Sequence, residues 1–452
     1  MRTLALDQCR AQLERAAGRL SFDRPPSVVI VSCPETRPTA LQAVRCLGRH
    51  DVPVIVLAAQ RRPPTFASKY AALRLRCPDQ KQQPEDFLTF LVELGRLVSP
   101  RPALVFCSDY DVVNVCTHAP RLRPLYDSPY LSADALGRAM DKHRMIAAAA
   151  EAGMDVPATR LVRSSDDVPA ALDVPLPAVV KPLARCSWEG NRVAPAGRFL
   201  ETFHRKAVRA DARSDLEDVL HRAAEIGETV LVQEHVPGPA NELYYVCLYA
   251  DVRSESRAEF CGRKLRQMPA DFGSGSLVTA TPPHERLAEL ARRFVKHIGF
   301  HGIAEIEWKH DPRDGRYKFM EINPRCWTWA ALTDAVGVNL PLVQYLEVTG
   351  QEVPRLVQSP RQVKAVDLVL DWRYFWNYRR GDPFGERLSF GDWLRSLRGE
   401  RELTYFAPGD RGPGWVNLRL VLGELAGRAV RKLARSLPPR RTSRPGARRE
   451  GS

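Results

Sequence analysis

Three side chains with the chemistry of metal ligands lie in two neighbouring apolar stretches. Glu307 belongs to the first stretch, and Glu321 and Asn323 belong to the second. The turn Asp311-Pro-Arg-Asp-Gly315 separates them, and its Asp-Gly pair is a strong hairpin signal. We therefore predict two antiparallel strands joined by this turn. The predicted strands are Ile303 to Lys309 and Tyr317 to Ile322.

The alternation of side chains along a strand groups these residues by face. Glu305 and Glu307 share one face of the first strand, while Phe319, Glu321 and Asn323 share one face of the second. Burying several carboxylates together is costly unless a cation compensates their charge. Such oxygen ligands suit Mg²⁺, which favours carboxylates combined with nucleotide phosphates. The alternative is a solvated strand face with acids of no special role, and the residues alone leave both interpretations open.

The elements that position this hairpin begin with an alternation of apolar runs and helical stretches. Such alternation predicts an open α/β sheet, in which ligands bind at the carboxyl ends of the strands. The loops after two of these strands, Ser32 to Thr39 and Ser108 to Asp111, are therefore candidates for lining a site, with ordinary loops as the alternative. The predicted elements are strands Val28 to Val31, Val52 to Ala58 and Ala103 to Cys107, and a helix from Pro38 to His50.

The central part of the chain mixes helices with further strands. A long helical region is predicted from Ser132 to Ala152, and it ends at Gly153, a typical helix stop. The other predicted helices are Asp215 to Ile226 and Glu285 to Ile298, and the strands are Ala178 to Lys181, Val230 to Glu234, Glu242 to Ala250 and Arg257 to Arg263.

Composition is that of a soluble globular protein, with 44% apolar and 27% charged residues over a length of 452. The ten cysteines are scattered without any Cys-x-x-Cys, which argues against a disulfide framework or a zinc site. The amino terminus lacks the apolar stretch of a signal peptide, and no run is long enough to span a membrane. We therefore expect a cytoplasmic protein.

The net charge of +14 is concentrated at the end of the chain. Nine basic residues and one acid follow Leu425, so the rest of the protein is only mildly basic. This distribution argues against a core that binds nucleic acid specifically. The helical spacing of apolar residues from Leu418 to Leu437 fits peripheral contact with an anionic membrane, non-specific nucleic-acid binding or a flexible solvated tail.

Several motifs together resemble the ATP-grasp superfamily, in its carbamoyl-phosphate-synthetase-like and D-aspartate-ligase-like carboxylate–amine ligase branch. The acidic signature is Gly302-x-x-Glu-x-Glu307 followed by Glu321-Ile-Asn-Pro-Arg325. Each motif is weak alone, but five in the family's order within one chain are specific. The other motifs are Met140-Asp-Lys142, Val179-Val-Lys181-Pro, Gln233-Glu-His-Val236-Pro-Gly, and the pair Arg263-Lys264-Leu-Arg266 and Asp271-Phe-Gly-Ser-Gly275.

The resemblance implies a role for each matching residue. ATP is expected at Lys142 and Lys181 for the phosphates, Glu234 and Val236 for adenine, and Glu242 for the ribose. Mg²⁺, expected as two ions with Mn²⁺ as an alternative, is assigned to Glu307, Glu321 and Asn323. Catalytic roles fall to Arg325, which would stabilise the acyl phosphate, and to Lys264 or Arg263, which would bind phosphate or the carboxylate.

One stretch departs from the family pattern. Many relatives have a glycine-rich loop after the second lysine, whereas Pro182 to Gly190 contains a single glycine here. Ser187 and neighbouring backbone N–H groups remain candidates for covering the phosphates. Whether this loop closes over ATP is open.

The implied architecture is α/β, with α+β character in the ATP-grasp part: an open parallel-sheet domain precedes a two-lobed ATP-grasp domain. The expected divisions are an N-terminal helix at 1–24, an α/β domain at 25–130, the ATP-grasp domain at 131–350, an extension at 351–424 and a basic, disordered tail at 425–452.

The function implied is an ATP-dependent carboxylate–amine ligase that forms an acyl phosphate and then an amide, releasing ADP and phosphate. The expected partners are a small carboxylate and an amine, for example an amino acid or a cell-envelope precursor, with the oligomeric state open. The alternative is a catalytically weak ATP-binding sensor or scaffold whose basic tail associates with membranes or nucleic acid.

Overall fold

The computed structural model describes residues 5–31, 38–183, 186–189, 192–195 and 197–436. Most of the predicted loop Ser32 to Thr39 therefore lies outside the described residues, as does the end of the chain after Ser436.

The N-terminal domain is a four-stranded parallel sheet in the order β3-β2-β1-β4, as the sequence predicts. Both faces of the sheet are covered, because Val28 and Ile30 pack into one apolar cluster while Val29 packs into a second. The strands are β1 (Ser27–Val31), β2 (Val54–Ala58), β3 (Ala71–Arg76) and β4 (Ala103–Val105). The helices are α1 (Leu6–Ala16), α2 (Thr39–Gly48), α3 (Pro84–Leu97), α4 (Asp109–Thr117) and α5 (Ala119–Leu122).

The helical region predicted from Ser132 to Ala152 is confirmed, and it consists of two helices: α6 (Ala133–Met140) and α7 (Lys142–Glu151). Asp141 separates them in an extended conformation, with φ −83° and ψ 116°. Its carboxylate accepts hydrogen bonds from the backbone N–H groups of His143 and Arg144, which satisfies the free donors at the start of α7. Lys142 is consequently the first residue of a new helix.

A small antiparallel sheet follows in the order β5-β10-β6-β9. Val180 and Val232 on its central strands pack against α10, and both are fully buried. The strands of this lobe are β5 (Thr159–Val162), β6 (Ala178–Pro182), the separate pair β7 (Cys186–Glu189) and β8 (Arg192–Pro195), β9 (Val208–Ala210) and β10 (Val230–Glu234). Its helices are α8 (Val168–Ala171), α9 (Gly197–Phe203) and α10 (Arg213–Glu225).

The second lobe is a seven-stranded sheet in the order β15-β14-β11-β12-β13-β16-β17. It contains the predicted hairpin of β14 and β15, and β12 extends five residues beyond the predicted end at Arg263. The strands are β11 (Leu243–Ala250), β12 (Ser256–Met268), β13 (Ser274–Ala280), β14 (Gly302–Asp311), β15 (Arg316–Asn323), β16 (Lys364–Val366) and β17 (Arg401–Leu403). The helices of this part are α11 (Glu285–His297), α12 (Ala331–Ala335) and α13 (Leu340–Val348).

The C-terminal extension is integrated into the second lobe, since β16 pairs with β13 and β17 pairs with β16. Its helices are α14 (Leu368–Tyr378), α15 (Phe390–Ser396) and α16 (Gly412–Ser436). The expectation of a disordered tail from 425 is wrong as far as Ser436, because α16 continues to that residue. In the described part of the chain, no helix is both long and apolar enough to cross a bilayer.

Candidate active site

The β14–β15 hairpin brings the predicted metal ligands together on one face of the large sheet. Glu307 lies directly opposite Glu321, and Glu305 lies opposite Asn323. The Asn323 amide links the acids, with its Nδ2 3.1 Å from Glu305 Oε2 and 3.3 Å from Glu321 Oε1. The face therefore presents three carboxylates and one amide as a connected group, which we call the carboxylate cluster (Glu305, Glu307, Glu321 and Asn323).

Phe319 does not share this face, contrary to the prediction from alternation. The register of the hairpin shifts between Glu307 and Trp308, so that Phe319 lies opposite Trp308. Its ring packs on the other side of the sheet, with the ring centroid 5.3 Å from that of Phe294 on α11. A β-bulge changes which residues share a face beyond it, and alternation counted along the sequence cannot anticipate it.

Excess negative charge is buried in the carboxylate cluster. Glu305 is only 6% exposed, and burial together with the neighbouring Glu307 carboxylate raises its pKa to about 8. Tyr245 on β11 lies beside the same acids, and its pKa is raised by burial and by Glu307. A cation bound here would offset the cost of holding these acids in a buried environment.

The basic pair on β12 is divided between the two faces of the sheet. Lys264 is 4% exposed, and its Nζ lies 3.4 Å from Glu307 Oε2 and 3.0 Å from Gln267 Oε1. Arg263 points to the opposite face, where its Nη1 donates to the Tyr244 hydroxyl at 3.2 Å. The structure thus brings Lys264 to the carboxylate cluster and places Arg263 away from it.

Arg325 joins the carboxylate cluster to the N-terminal domain. Its Nη2 donates to Asn323 Oδ1 at 3.0 Å, and its Nε donates to Asp109 Oδ1 at 2.7 Å. Asp109 is the first residue of α4, in the loop predicted to line a site after the third apolar strand. The described end of this parallel sheet therefore does reach the candidate site.

The two predicted phosphate lysines both contact the central strands of the small sheet. Lys181 Nζ lies 2.9 Å from Gln233 Oε1 on the neighbouring strand. Lys142 Nζ donates to the Pro182 carbonyl at 2.5 Å, which brings the start of α7 to the end of β6. Ser187 lies in β7, but its side chain is outside the described residues.

The predicted adenine segment follows β10 and contacts the turn of the acidic hairpin. Glu234 Oε1 accepts from Arg313 Nη2 at 2.6 Å, and Val236 is buried at 2% exposure. Glu242 Oε2 lies 3.0 Å from His310 Nδ1 on β14. These contacts position the segment beside the carboxylate hairpin without identifying a nucleotide contact.

Three residues near the site had no assigned role in the sequence-based prediction: Asp109, Glu305 and Lys309. The last lies two positions beyond Glu307 on β14, is 8% exposed and has a pKa that burial lowers to about 8. Alternation along β14 places Glu305 and Lys309 on the same face as Glu307, so the sequence could have indicated that these two residues lie near the site. Asp109 lies in the predicted loop Ser108 to Asp111, but no local pattern indicated its contact with Arg325, which joins residues 216 positions apart.

A cation site in this region would need ligands from outside the protein. Among the described residues, no three His, Cys, Asp or Glu side chains are arranged to hold a metal on their own. Mg²⁺ is commonly bound by one or two carboxylates together with substrate phosphates, and Glu307, Glu321 and Asn323 fit that donor set. The arrangement therefore suits a metal bound together with a nucleotide.

Comparison with known proteins agrees with this geometry. Residues 277–352 match the family described as the carbamoyl-phosphate synthase L chain, ATP binding domain. The matched segment contains the β14–β15 hairpin, so this part of the chain is similar to that ATP-binding domain. The D-aspartate ligase of Enterococcus faecium is 26% identical over 249 residues, which cover 54% of this chain and 57% of that relative. The chain thus spans little more than half the length of this curated relative.

Solved structures of other proteins share the fold at low sequence identity. The L-amino acid ligase of Bacillus licheniformis has a TM-score of 0.52 at 14% identity, over 75% of this chain and 77% of its own. The biotin carboxylase domain of the 2-oxoglutarate carboxylase of Hydrogenobacter thermophilus, in complex with MgADP, has a TM-score of 0.55 at 15% identity, over 75% and 72%. Both matches extend well beyond the segment 277–352.

Proposed function

We propose that this protein is an ATP-dependent carboxylate–amine ligase that forms ADP. The observation that carries the proposal is the buried carboxylate cluster, with Lys264 3.4 Å from Glu307 and Arg325 bonded to Asn323. Buried acids flanked by cations are suited to organising the phosphates that move in phosphoryl transfer. The similarity to a D-aspartate ligase and to an L-amino acid ligase fold supports this reaction class.

ATP is proposed to bind between the small sheet and the large sheet. Lys142 and Lys181 would hold phosphates, since Lys181 lies on β6 and Lys142 contacts Pro182, the last residue of that strand. The backbone of Glu234 and Val236 would bind adenine, and Glu242 would bind the ribose. Ser187, whose side chain is outside the described residues, remains a candidate for covering the phosphates.

Glu307, Glu321 and Asn323 are the proposed Mg²⁺ ligands, with two ions expected and Mn²⁺ as an alternative. Bound Mg²⁺ would neutralise phosphate charge and orient the terminal phosphate. Burial and the neighbouring Glu307 carboxylate raise the pKa of Glu305 to about 8, so a bound cation would favour its ionised form. Glu305 would not bind the ion directly, and it would accept a hydrogen bond from the amide of the ligand Asn323.

The proposed chemistry has two steps. A substrate carboxylate oxygen attacks the γ-phosphorus of ATP, and the bond to the β–γ bridging oxygen breaks to release ADP. The amine nitrogen then attacks the acyl carbon, phosphate departs, and the amine loses a proton to solvent. Arg325 and Lys264 would stabilise the charge that develops on the transferring phosphoryl group.

The substrates are proposed as a class. The carboxylate and the amine are expected to be small molecules, with amino acids as the first candidates because of the two ligases to which this chain is similar. A cell-envelope precursor remains a candidate for the amine.

The proposal is tested by measuring ADP release with Mg²⁺ across a matrix of amino acids and amines. The expected result is ADP formation that requires a carboxylate, with an acyl hydroxamate trapped when hydroxylamine replaces the amine. Formation of AMP would contradict the mechanism. Tight MgADP binding without turnover on any pair would instead favour a nucleotide-binding sensor.

A further inference from the structure

Lys309 is a buried cation at the edge of the proposed nucleotide site. It lies on β14 on the same face as Glu307, and it is 8% exposed. Asn323 and Arg325 connect the Glu305 end of β14 to the N-terminal domain. Lys309 lies towards the other end of this strand. Its partner across the sheet is Leu243, which directly follows the proposed ribose residue Glu242. The ammonium group therefore faces the nucleotide end of the site.

The buried cations of this protein differ in how they are paired. Arg45 donates to the Asp410 carboxylate at 2.9 Å, and Arg266 makes a two-pronged pair with Asp371 at 2.9 and 2.7 Å. Lys264 lies 3.4 Å from Glu307. For Lys309, by contrast, the described residues provide neither an ion pair nor a hydrogen bond, and the carboxylates of Glu307, Glu242 and Asp311 act on its charge only from a greater distance. A buried ammonium without an anion is costly, which points to a ligand that supplies one.

Phe384 of the C-terminal extension covers this ammonium group, with Lys309 Nζ 5.6 Å from the centre of its ring. A tight turn presents the phenylalanine. Asp382 Oδ1 accepts from the backbone N–H groups of Phe384 and Glu386 at 2.8 and 2.9 Å, and its Oδ2 accepts from the Tyr374 hydroxyl at 3.1 Å. The ring is therefore held in place by its own segment.

The turn is anchored to the catalytic sheet through α14. Asp371 on this helix bonds to Arg266, which lies two residues after Lys264 on β12. The Tyr378 hydroxyl at the end of α14 accepts from the Ala270 N–H at 3.3 Å. The extension thus approaches the site along a fixed path, and Phe384 shields Lys309 from solvent.

We infer that Lys309 binds a phosphate oxygen at the ribose end of the nucleotide, and that Phe384 of the C-terminal extension completes this site by covering the ion pair. The inference rests on the proposed function, since it requires a nucleotide on this face. It gives the extension a role in ligand binding in addition to its place in the sheet. Charge-assisted hydrogen bonds of this kind are strengthened when water is excluded.

The test uses the full chain with Lys309→Met, which keeps the length of the side chain and removes its charge. MgADP affinity is measured by titration calorimetry, and the thermal midpoint is measured without ligand. Lys296→Met, on helix α11 against the other side of the sheet, is the matched control. Phe384→Ala is compared with Phe390→Ala, which removes an exposed ring from the same extension.

Lys309→Met is expected to weaken MgADP binding without lowering the stability of the ligand-free protein. The Kd for MgADP rises by about tenfold, while the ligand-free protein melts at the same or a higher temperature because a buried unpaired charge is gone. Phe384→Ala raises the Kd by about threefold, and the two control variants leave it unchanged.

An unchanged Kd for MgADP in Lys309→Met would overturn the inference. If the KM for the carboxylate substrate also rises in that variant, Lys309 would be assigned to the carboxylate substrate instead. Failure of the unaltered protein to bind MgADP is a different result, because it contradicts the proposed function itself.

Discussion

Two acidic regions of the large sheet bury carboxylates in different ways. Asp371 is fully buried, and it accepts four hydrogen bonds of 2.7–2.9 Å from Arg266, Ser276 and Trp393. Glu305, by contrast, is buried beside Glu307, and burial together with that neighbouring carboxylate raises its pKa to about 8. Complete pairing is the pattern of a structural ion pair, whereas incomplete pairing marks a place for a ligand.

The largest expected effect concerns the structural region. Asp371→Ala leaves the Arg266 guanidinium buried without its partner, and we expect the free energy of unfolding to fall by about 3–5 kcal/mol. Urea denaturation measures this change. Glu400→Ala is the control, because its pair with Arg361 is more than half exposed and is expected to contribute less than about 1 kcal/mol. Similar losses for both variants would remove the distinction between paired and exposed acids.

The second prediction concerns pH and the carboxylate cluster. Because the folded-state pKa of Glu305 is raised from 4.5 to about 8, its contribution to stability is fully present below pH 4.5 and is lost as the pH rises through 8. In EDTA, Glu305→Gln should therefore gain stability relative to the unaltered protein between these values, by up to about 4 kcal/mol. Urea denaturation at a series of pH values checks this, and a difference that is independent of pH would contradict it.

The third prediction separates catalysis from stability in the carboxylate cluster. Glu321→Gln removes the charge of a proposed metal ligand, so ADP formation should fall by at least about 100-fold. The thermal midpoint should not fall, since one of several repelling charges is removed. Glu289→Gln, on the exposed side of α11, is the control and should keep full activity. A collapse of stability with little change in rate would assign Glu321 a structural role.

The smallest effect is expected from the neighbouring basic residues on β12. Lys264→Met should slow ADP formation by about tenfold or more, because its ammonium lies beside Glu307. Arg263→Met, on the opposite face, should change the rate by less than about twofold. Steady-state rates at saturating ATP provide the measurement, and equal losses for the two variants would show that both cations reach the reacting groups.

Much of the architecture was predictable from local sequence. The apolar runs of the N-terminal domain are strands of a parallel sheet, and the acidic stretches form the expected hairpin. The helical region from Ser132 to Ala152 was predicted, whereas its division at Asp141 was not stated, although aspartate is a strong helix-capping residue. The expected domain divisions remain predictions, although the pairing of β16 with β13 joins the extension to the preceding sheet.

Local geometry alone determined that Glu305 shares a face with Glu307, and that Arg263 and Lys264 point to opposite faces, since strand side chains alternate with a period of two. Which face carries the site depends on what packs against each side of the sheet. The contacts of Arg325 with Asp109 and of Lys309 with Phe384 join distant parts of the chain. Only the tertiary structure decided them, because no local pattern encodes which loop a folded sheet will meet.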